Sequence, residues 1–217
     1  LDVNAEPLNL VAEEIREAGY PVQDWALDLD DKDAIVETFA AIADHFGGID
    51  ILINNAGISL FAPIDSDDYE AAWQRSLSVL LTAHTRTIRA ALPWLRKSEH
   101  PRIVNIASTE GLGATKFGSP YTAAKTGVIG LTRSLAVELG EEGITVNCIC
   151  PGPIRTGMTA AIPDEAKLKF ARRRVALKRY ADPEEVAHMT LSLVLPAAGF
   201  TTGVALPVDG GLTIRNA

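Results

Sequence analysis

The chain has 217 residues, of which 47% are hydrophobic, and its formal net charge at pH 7 is −8. This length and apolar share are enough for one domain with a full hydrophobic core. The negative charge excludes the basic surface on which nucleic-acid binding depends. No apolar run in the sequence approaches the length of a membrane span. We therefore expect one globular domain, residues 1–217, that binds neither nucleic acid nor a membrane.

Short apolar runs alternate with longer segments of helical periodicity along the whole chain, which is typical of a parallel sheet covered by helices. We accordingly predict an α/β fold with a doubly wound parallel sheet. In chain order we expect a helix at about 7–18, a strand at 23–27, a helix ending at 46, a strand at 49–53, a long helix at about 66–96, a strand at 102–106, a helix at 121–139, a strand at 144–150, a less regular region at 156–181, a helix at 183–195 and a strand at 203–208.

The two cysteines, Cys148 and Cys150, lie two residues apart in a predicted strand. Their side chains share one face of that strand, where they do not easily bridge each other. Two cysteines at this spacing do not form a metal site either, so no metal is predicted. Unpaired thiols are typical of a reducing compartment, and we expect a cytoplasmic protein.

Ser108 follows the predicted strand at 102–106. The carboxyl ends of strands in an open α/β sheet form the crevice where ligands bind. A hydroxyl at this place can hold a substrate carbonyl oxygen, or it can cap a helix or loop. Its position alone leaves both interpretations open.

Tyr121 and Lys125 lie four residues apart on a predicted helix and therefore on the same face of it. A phenol with a pKa near ~10 is a poor acid–base catalyst at neutral pH. A nearby ammonium group stabilises the phenolate and lowers that pKa. By itself such a pair is usually only part of a helix surface. The presence of Ser108 at a strand end, thirteen residues earlier, favours an acid–base site.

Four segments together resemble the short-chain dehydrogenase/reductase family, in its order and spacing, and the resemblance covers the whole chain. The segments are Asn54-Asn55-Ala56-Gly57, Ile103-Val104-Asn105-Ile106-Ala107-Ser108, Tyr121-Thr122-Ala123-Ala124-Lys125 and Pro151-Gly152-Pro153-Ile154-Arg155-Thr156. The resemblance implies a Rossmann-like domain and an oxidoreductase. Such an enzyme transfers a hydride between a nicotinamide dinucleotide and a small-molecule carbonyl or secondary alcohol.

The resemblance also implies roles for three catalytic residues. Tyr121 is the expected general acid/base, and Ser108 is expected to orient the substrate oxygen. Lys125 is expected to lower the pKa of the tyrosine and to hold the nicotinamide ribose.

Cofactor-binding roles follow from the same resemblance. The resemblance implies that Asn55, Ala56 and Gly57 lie beside the ribose on the adenine side, and that Asp28 and Leu29 lie beside the adenine ring. The segment containing Pro151, Gly152, Ile154 and Thr156 is expected to hold the carboxamide. The catalytic residues Tyr121 and Lys125 are also expected to contact the cofactor.

Asp2 falls where the family's second strand ends, at the adenosine ribose. A carboxylate there accepts hydrogen bonds from both ribose hydroxyls and repels a 2′-phosphate, which favours NAD over NADP. No Arg or Lys follows at 3–6 to bind such a phosphate. The alternative interpretation is a solvent-exposed terminal aspartate.

The substrate is not specified by the sequence. By resemblance the pocket is lined by Leu60, Phe61, Glu110, Phe117 and Met158, each of which is equally explicable as packing or as solvated loop. A 3-oxoacyl thioester, a cyclic alcohol, a steroid and a sugar all remain open, with a 3-oxoacyl carrier-protein reductase as the main alternative within the class. The resemblance further implies a homotetramer or homodimer, assembled through the helices at 66–96 and 121–139 and the last strand.

The first departure from the family pattern is Leu80, seven residues after Trp73, where the family carries an asparagine. That asparagine holds a water on the proton path from the lysine to solvent. Leucine has neither donor nor acceptor, so another group completes the path or turnover is slowed. This departure sustains the alternative of a catalytically weak dinucleotide-binding scaffold or sensor.

The second departure is that the glycine-rich phosphate loop is not found. Leu1-Asp2 resembles the end of the family's second strand, so we expect about 30 further residues, a βα unit and the following strand, in the natural protein. We accordingly expect Asp2 at the mouth of the cofactor cleft and a strand-wide gap between 23–27 and 49–53.

Overall fold

A parallel four-stranded sheet forms the centre of the molecule. The computed structural model describes residues 1–215; Asn216 and Ala217, which the predicted domain includes, lie outside the described residues. The strands are β1 (Ile51–Asn54), β2 (Arg102–Ile106), β3 (Thr145–Pro151) and β4 (Ala205–Val208), and they lie in the order β1-β2-β3-β4.

Helices cover both faces of this sheet. They are α1 (Ala5–Glu17), α2 (Lys32–Phe46), α3 (Tyr69–Leu77), α4 (Ala83–Leu95), α5 (Ser119–Leu139), α6 (Asp164–Arg174) and α7 (Pro183–Val194). Within residues 1–215, none of the helices combines the length and apolarity that crossing a bilayer requires.

Successive residues of β2 show why the sheet is covered on both sides. Ile103 packs into a cluster with residues of α2, α4 and α5, whereas Val104 packs on the other face against α7. Side chains alternate between the faces of a strand, and a strand buried on both faces is apolar throughout rather than alternating. The predicted fold class, an α/β Rossmann-like doubly wound sheet, is confirmed.

The predicted strand at 23–27 is wrong. Ala26 forms one isolated parallel bridge with Asp2, and the Leu27 amide donates to the Asp2 carbonyl at 2.9 Å. One paired residue is too little for a strand. Within residues 1–215 β1 pairs only with β2, so segment 23–27 does not pair with β1. Ile51 and Ile53 of β1 are 43% and 46% exposed.

The predicted long helix at 66–96 is two α-helices, α3 and α4, joined by a π-helical turn at Ser78–Thr82. A π turn is an insertion into an otherwise regular helix and often marks a functional site. Here the turn contains Leu80, which is fully buried. A Cβ on Gly57 would lie 3.2 Å from the Cδ2 atom of Leu80, so this leucine packs against the loop that follows β1.

The predicted irregular region at 156–181 contains a regular helix, α6, which the sequence reading missed. Its only buried residue is Ala171, so it carries no apolar stripe from which a helical period can be read. Its charges nevertheless suit the helix dipole, with Asp164 and Glu165 in the first turn and three arginines, 172–174, in the last.

A buried chain of polar side chains connects two strands to two helices. The Asn54 amide donates to Asn105 Oδ1 at 2.9 Å, and the Asn105 amide donates to Thr132 Oγ1 at 3.0 Å. The Thr87 hydroxyl donates to Asn54 Oδ1 at 2.7 Å. Because buried amides are costly when unpaired, these bonds fix β1, β2, α4 and α5 relative to one another just below the strand ends.

Candidate active site

A cleft runs along the carboxyl edge of the sheet, as expected for an open α/β sheet. Its larger section has a volume of about 970 Å³, and an adjoining section has about 340 Å³. Both sections are lined by Asp2, Asn4, Ile53 and the loop at 55–58, so they form one continuous cleft.

Most of the predicted site residues line this cleft. Asp28 and Leu29 lie in the smaller section, and Asp2, Asn55, Ala56 and Gly57 lie where the sections meet. The residues that line the larger section are Ser108, Tyr121, Lys125, Pro151, Gly152, Ile154, Thr156 and Met158.

Gly152 shows how tightly the cleft floor is built. A Cβ at this position would lie 2.7 Å from the Cα of Asp209, the residue that follows β4. Because that neighbour is main chain, it has no rotamer with which to move aside. Glycine is therefore required for the turn after β3 to approach the end of β4.

Ser108 has the capping role that the sequence left open, and its contact with a substrate oxygen stays a prediction. Its Oγ accepts a hydrogen bond from the Glu110 amide at 3.1 Å and so caps a short 3₁₀ turn, Thr109–Gly111. The same hydroxyl lies close enough to the Tyr121 phenol to lower the pKa of that phenol. The cap fixes the rotamer of the serine and so the position of its hydroxyl in the cleft.

Lys125 is a buried cation, with 4% of its surface exposed. Its Nζ atom donates to the Ile106 carbonyl at 2.7 Å, at the last residue of β2, and lies 5.7 Å from the centre of the Tyr121 ring. Burial lowers the pKa of Lys125 from 10.5 to about 8, partly offset by the nearby Cys150 and Cys148 sulfur atoms. A charge with so little solvent needs partners in the cleft.

The pKa of Tyr121 differs from the expectation. We predicted that the neighbouring ammonium lowers it, but burial of the phenol raises it above 10.0. The neighbouring Ser108 hydroxyl opposes this rise in the pKa, and the charge of Glu110 adds to it. Lys125 points instead at the Ile106 carbonyl, so in this state the phenol keeps its proton at neutral pH.

His84, on α4, is a site residue that sequence reasoning missed. It lines the smaller section of the cleft and is 3% exposed. Its Nε2 atom is buried and has no hydrogen-bond partner among the described residues. Burial, together with the charge of Lys125, lowers the pKa of His84 to about 3. A lone histidine in an amphipathic helix gives no sequence signal of such surroundings.

Four of the five predicted substrate residues lie outside the cleft lining. Phe61 stacks on Tyr121, with ring centroids 6.3 Å apart, and the Phe117 carbonyl accepts a hydrogen bond from the Ala62 amide. Glu110 accepts hydrogen bonds from two threonines, at 115 and 122, and Leu60 is half-buried. Phe61 and Glu110 lie beside Tyr121, and contact of any of the four residues with a substrate stays a prediction.

The cleft suits a nicotinamide dinucleotide. Asp2 supplies a carboxylate where the two sections meet, and Ala56 and Gly57 allow close approach to the main chain. Lys125 has three donors, of which the structure engages one with the Ile106 carbonyl. Within residues 1–215 no group of three or more metal-ligating side chains comes together.

Comparisons with known proteins agree with this architecture. Residues 1–213 match the family described as "Enoyl-(Acyl carrier protein) reductase". A D-beta-hydroxybutyrate dehydrogenase of Rhizobium meliloti (strain 1021) is 38% identical over 192 residues, which cover 83% of this chain and 74% of the relative.

Two further proteins extend the likeness. A 3-oxoacyl-[acyl-carrier-protein] reductase of Thermotoga maritima is 33% identical, covering 98% of this chain and 86% of the relative. Among solved structures, a blue fluorescent protein from a metagenomic library, in complex with NADPH, superposes with a TM-score of 0.88. It is 28% identical, and the match covers 96% of this chain and 83% of that one.

The lowered pKa of Lys125 predicts a specific pH dependence of folding. Below pH 8 the folded protein carries the full cost of a buried ammonium group. As the pH rises from about 8 towards 10.5, the folded state loses that proton and the cost is relieved. The free energy of unfolding should therefore rise, relative to that of Lys125→Met, by about 2 kcal/mol between pH 7 and 9.5.

Urea unfolding of both proteins without dinucleotide measures this difference. Lys97→Met, which removes an exposed lysine, is the matched control and should show no such pH dependence. A pH-independent difference between wild type and Lys125→Met would contradict the buried-cation interpretation.

Proposed function

The chain belongs to the short-chain dehydrogenase/reductase family, and we propose that it transfers a hydride between NAD(H) and a carbonyl or secondary alcohol substrate. The observation that carries the proposal is the meeting of Ser108, Tyr121 and Lys125 on one wall of the cleft. They arrive there from the end of β2 and from one face of α5. A bound nicotinamide dinucleotide would supply the hydride chemistry.

Tyr121 is the proposed general acid/base. Its phenol lies beside the Ser108 hydroxyl in the larger section of the cleft, so one substrate oxygen can reach both hydroxyl groups. In reduction, Tyr121 gives its proton to the substrate oxygen while Ser108 holds that oxygen in place. Positioned proton transfer of this kind typically contributes 10²–10⁴-fold to rate, roughly.

Lys125 has two proposed tasks. Its ammonium holds the ribose beside the nicotinamide, and it stabilises negative charge on Tyr121 after the proton has left. The second task is supported by the 5.7 Å separation between Nζ and the phenol ring centre. The raised pKa of the free phenol favours the reduction direction at neutral pH, because Tyr121 then starts as an acid.

The proposed preference for NAD over NADP is supported by Asp2. Its main chain is fixed by a bridge to Ala26, and its Oδ1 atom accepts hydrogen bonds from the main-chain and side-chain nitrogens of Asn4 at 2.9 and 3.1 Å. A carboxylate held in this way at the cleft accepts ribose hydroxyls and repels a 2′-phosphate. The structural neighbour that binds NADPH does not itself favour NAD.

A 3-oxoacyl thioester is the proposed starting point for substrate screening. The two relatives described above act, by name, on a 3-oxoacyl carrier protein and on β-hydroxybutyrate, and both names place the reacting oxygen at the β carbon. Met158 offers an apolar surface to an acyl chain in the larger section of the cleft. This makes a 3-oxoacyl carrier-protein reductase the first candidate within the class.

Self-assembly and a reducing location complete the proposal. Val137 on α5 is 83% exposed, and Phe200, just before the last strand, is fully exposed. These apolar side chains support a homotetramer or homodimer that uses α5 and the edge near β4.

Cys148 and Cys150 are free and buried in β3, and unpaired thiols suit the reducing environment of the cytoplasm.

Replacement of Tyr121 tests the catalytic assignment. Tyr121→Phe removes the acidic proton and keeps the ring that stacks on Phe61. We expect kcat for reduction of the best 3-oxoacyl substrate to fall at least ~100-fold. The dissociation constant for NADH should stay within about threefold, since the change removes no charge.

Tyr20→Phe, at a 67% exposed tyrosine, is the control and should keep the wild-type rate. If Tyr121→Phe retains more than a few per cent of activity, another group donates the proton. A wild-type protein that binds NADH but turns over no substrate would instead support the scaffold or sensor function.

Replacement of Asp2 tests the cofactor assignment. The wild-type protein should prefer NAD(H) over NADP(H) in kcat/KM by about 10- to 100-fold, on the order of 1.5–3 kcal/mol. Asp2→Asn keeps the shape and removes the charge, so it should narrow this ratio at least ~10-fold. Asp44→Asn, on the exposed side of α2, should leave it unchanged. Equal use of both cofactors by the wild type would refute the role of Asp2.

A further inference from the structure

Glu110 joins the turn that follows β2 to the first turn of α5. Its carboxylate accepts a hydrogen bond from the Thr115 hydroxyl at 2.8 Å and another from the Thr122 hydroxyl at 3.4 Å. Thr115 lies in the loop between the two elements, and Thr122 is the residue after Tyr121 on α5. One half-buried carboxylate therefore holds the loop with one oxygen and the helix with the other.

The main chain of Glu110 fixes the Ser108 hydroxyl. The Glu110 amide donates to Ser108 Oγ at 3.1 Å, and the Gly111 amide donates to the Ser108 carbonyl at 3.0 Å. A Cβ on Gly111 would lie 2.8 Å from the Lys125 carbonyl oxygen, so this turn packs directly against the main chain of α5. One residue thus holds a hydroxyl of the site with its main chain and the helix that carries the phenol with its side chain.

The loop that Thr115 anchors reaches the aromatic ring beside Tyr121. Phe117 has a φ of 66°, in the left-handed region that a residue with a side chain rarely adopts. Such a conformation persists only where the surrounding contacts impose it. The Phe117 carbonyl accepts a hydrogen bond from the Ala62 amide at 2.9 Å, and the neighbouring Phe61 stacks on Tyr121. A change in this loop would therefore be felt at the phenol.

The charge of Glu110 acts on the same phenol. Burial raises the pKa of Tyr121, and the negative charge of Glu110 adds to that rise. Charged groups face the phenol from two elements, Glu110 from the turn after β2 and Lys125 from α5 itself, while the apolar Phe61 faces it from the loop after β1. The links and the charge of Glu110 are separable, because an uncharged side chain of the same shape keeps the first and removes the second.

We propose that Glu110 is a positioning residue that sets the spacing between Ser108 and Tyr121, by tying the turn after β2, the loop at 112–118 and the first turn of α5 to one carboxylate. Reduction requires both hydroxyl groups to reach one substrate oxygen, so the rate depends on this spacing. Glu110 then acts through its neighbours, in place of the substrate contact that the family resemblance implies. The proposal rests on the proposed reductase function, since only that reaction makes the spacing matter for rate.

Two substitutions of similar size separate the links from the charge. Glu110→Gln keeps an oxygen that accepts from one threonine and an amide that donates to the other, whereas Glu110→Met keeps the length and makes neither bond. With NADH and the best 3-oxoacyl substrate, we expect Glu110→Met to lower kcat about tenfold and Glu110→Gln to stay within about threefold of wild type. The dissociation constant for NADH should stay within about twofold in both variants.

The pH profile of alcohol oxidation reports the charge. Oxidation needs the phenolate of Tyr121, so its rate rises with pH. Without the negative charge of Glu110 the pKa of the phenol is lower, and the rise should occur at lower pH in Glu110→Gln than in wild type. If Glu110→Gln instead loses as much kcat as Glu110→Met, the charge rather than the links limits the rate and the proposal is wrong.

Matched changes in the two threonines test whether the links pass through them. Thr115→Val and Thr122→Val each remove one donor with little change of shape, and each should lower kcat about threefold. Adding both to Glu110→Met should cost less than about twofold more, because the bonds they remove are already lost. Glu99→Met, at an exposed glutamate before β2, is the control and should behave as wild type. Losses that multiply in the triple variant would overturn the proposal.

Amide hydrogen exchange of the protein without substrate tests the links independently of turnover. In Glu110→Met the hydrogen-bonded amides of Ala62, Leu112 and Gly118 should exchange at least about tenfold faster than in wild type, and in Glu110→Gln within about twofold of it. Because this readout needs no substrate, it separates failure of the links from failure of the reductase function. Unchanged exchange in Glu110→Met would overturn the proposal. So would a raised KM with unchanged exchange in Glu110→Gln, which is the result expected of a substrate contact.

Discussion

The burial of one cation, Lys125, is the constraint on which the site depends. Its ammonium group donates to the Ile106 carbonyl at 2.7 Å and so ties α5 to the end of β2. That bond fixes the helix face that presents Tyr121 to Ser108. Because the cation has almost no water, its surroundings must supply compensating acceptors. Burial and the charge of Lys125 together keep His84 neutral. A dinucleotide in the cleft would supply further acceptors to the ammonium group.

A polar framework under the cleft gives this arrangement its rigidity. Asn54, Asn105 and Thr132 connect β1, β2 and α5 through hydrogen bonds of about 3 Å. A packed hydrocarbon core alone would let strands and helices shift by fractions of an ångström. Hydrogen bonds between side-chain amides instead fix the positions of these elements. Proton transfer between hydroxyl groups requires positions of that precision. The framework therefore serves the site although none of these three side chains is proposed to touch substrate.

The fold class and the grouping of Ser108, Tyr121 and Lys125 could be predicted from the sequence, because both depend on local rules. Strands that are buried on both faces read as apolar runs, and a residue at their carboxyl end lies at the cleft. The predictions that failed concerned features that depend on tertiary contacts. Segment 23–27 has strand composition but one paired residue, and α6 has no apolar stripe. No sequence signal marks His84, because its surroundings are set by residues that are distant in the sequence, such as Lys125.

Hydride transfer itself is the central claim, and one measurement tests it most directly. The protein should be mixed with NADH and a panel of carbonyl compounds that begins with 3-oxoacyl thioesters, while the nicotinamide absorbance is followed. The account predicts loss of that absorbance with at least one member of the panel, and its return when the corresponding alcohol and NAD⁺ are supplied at higher pH. Tight NADH binding with no absorbance change across the whole panel, in either direction, would contradict it.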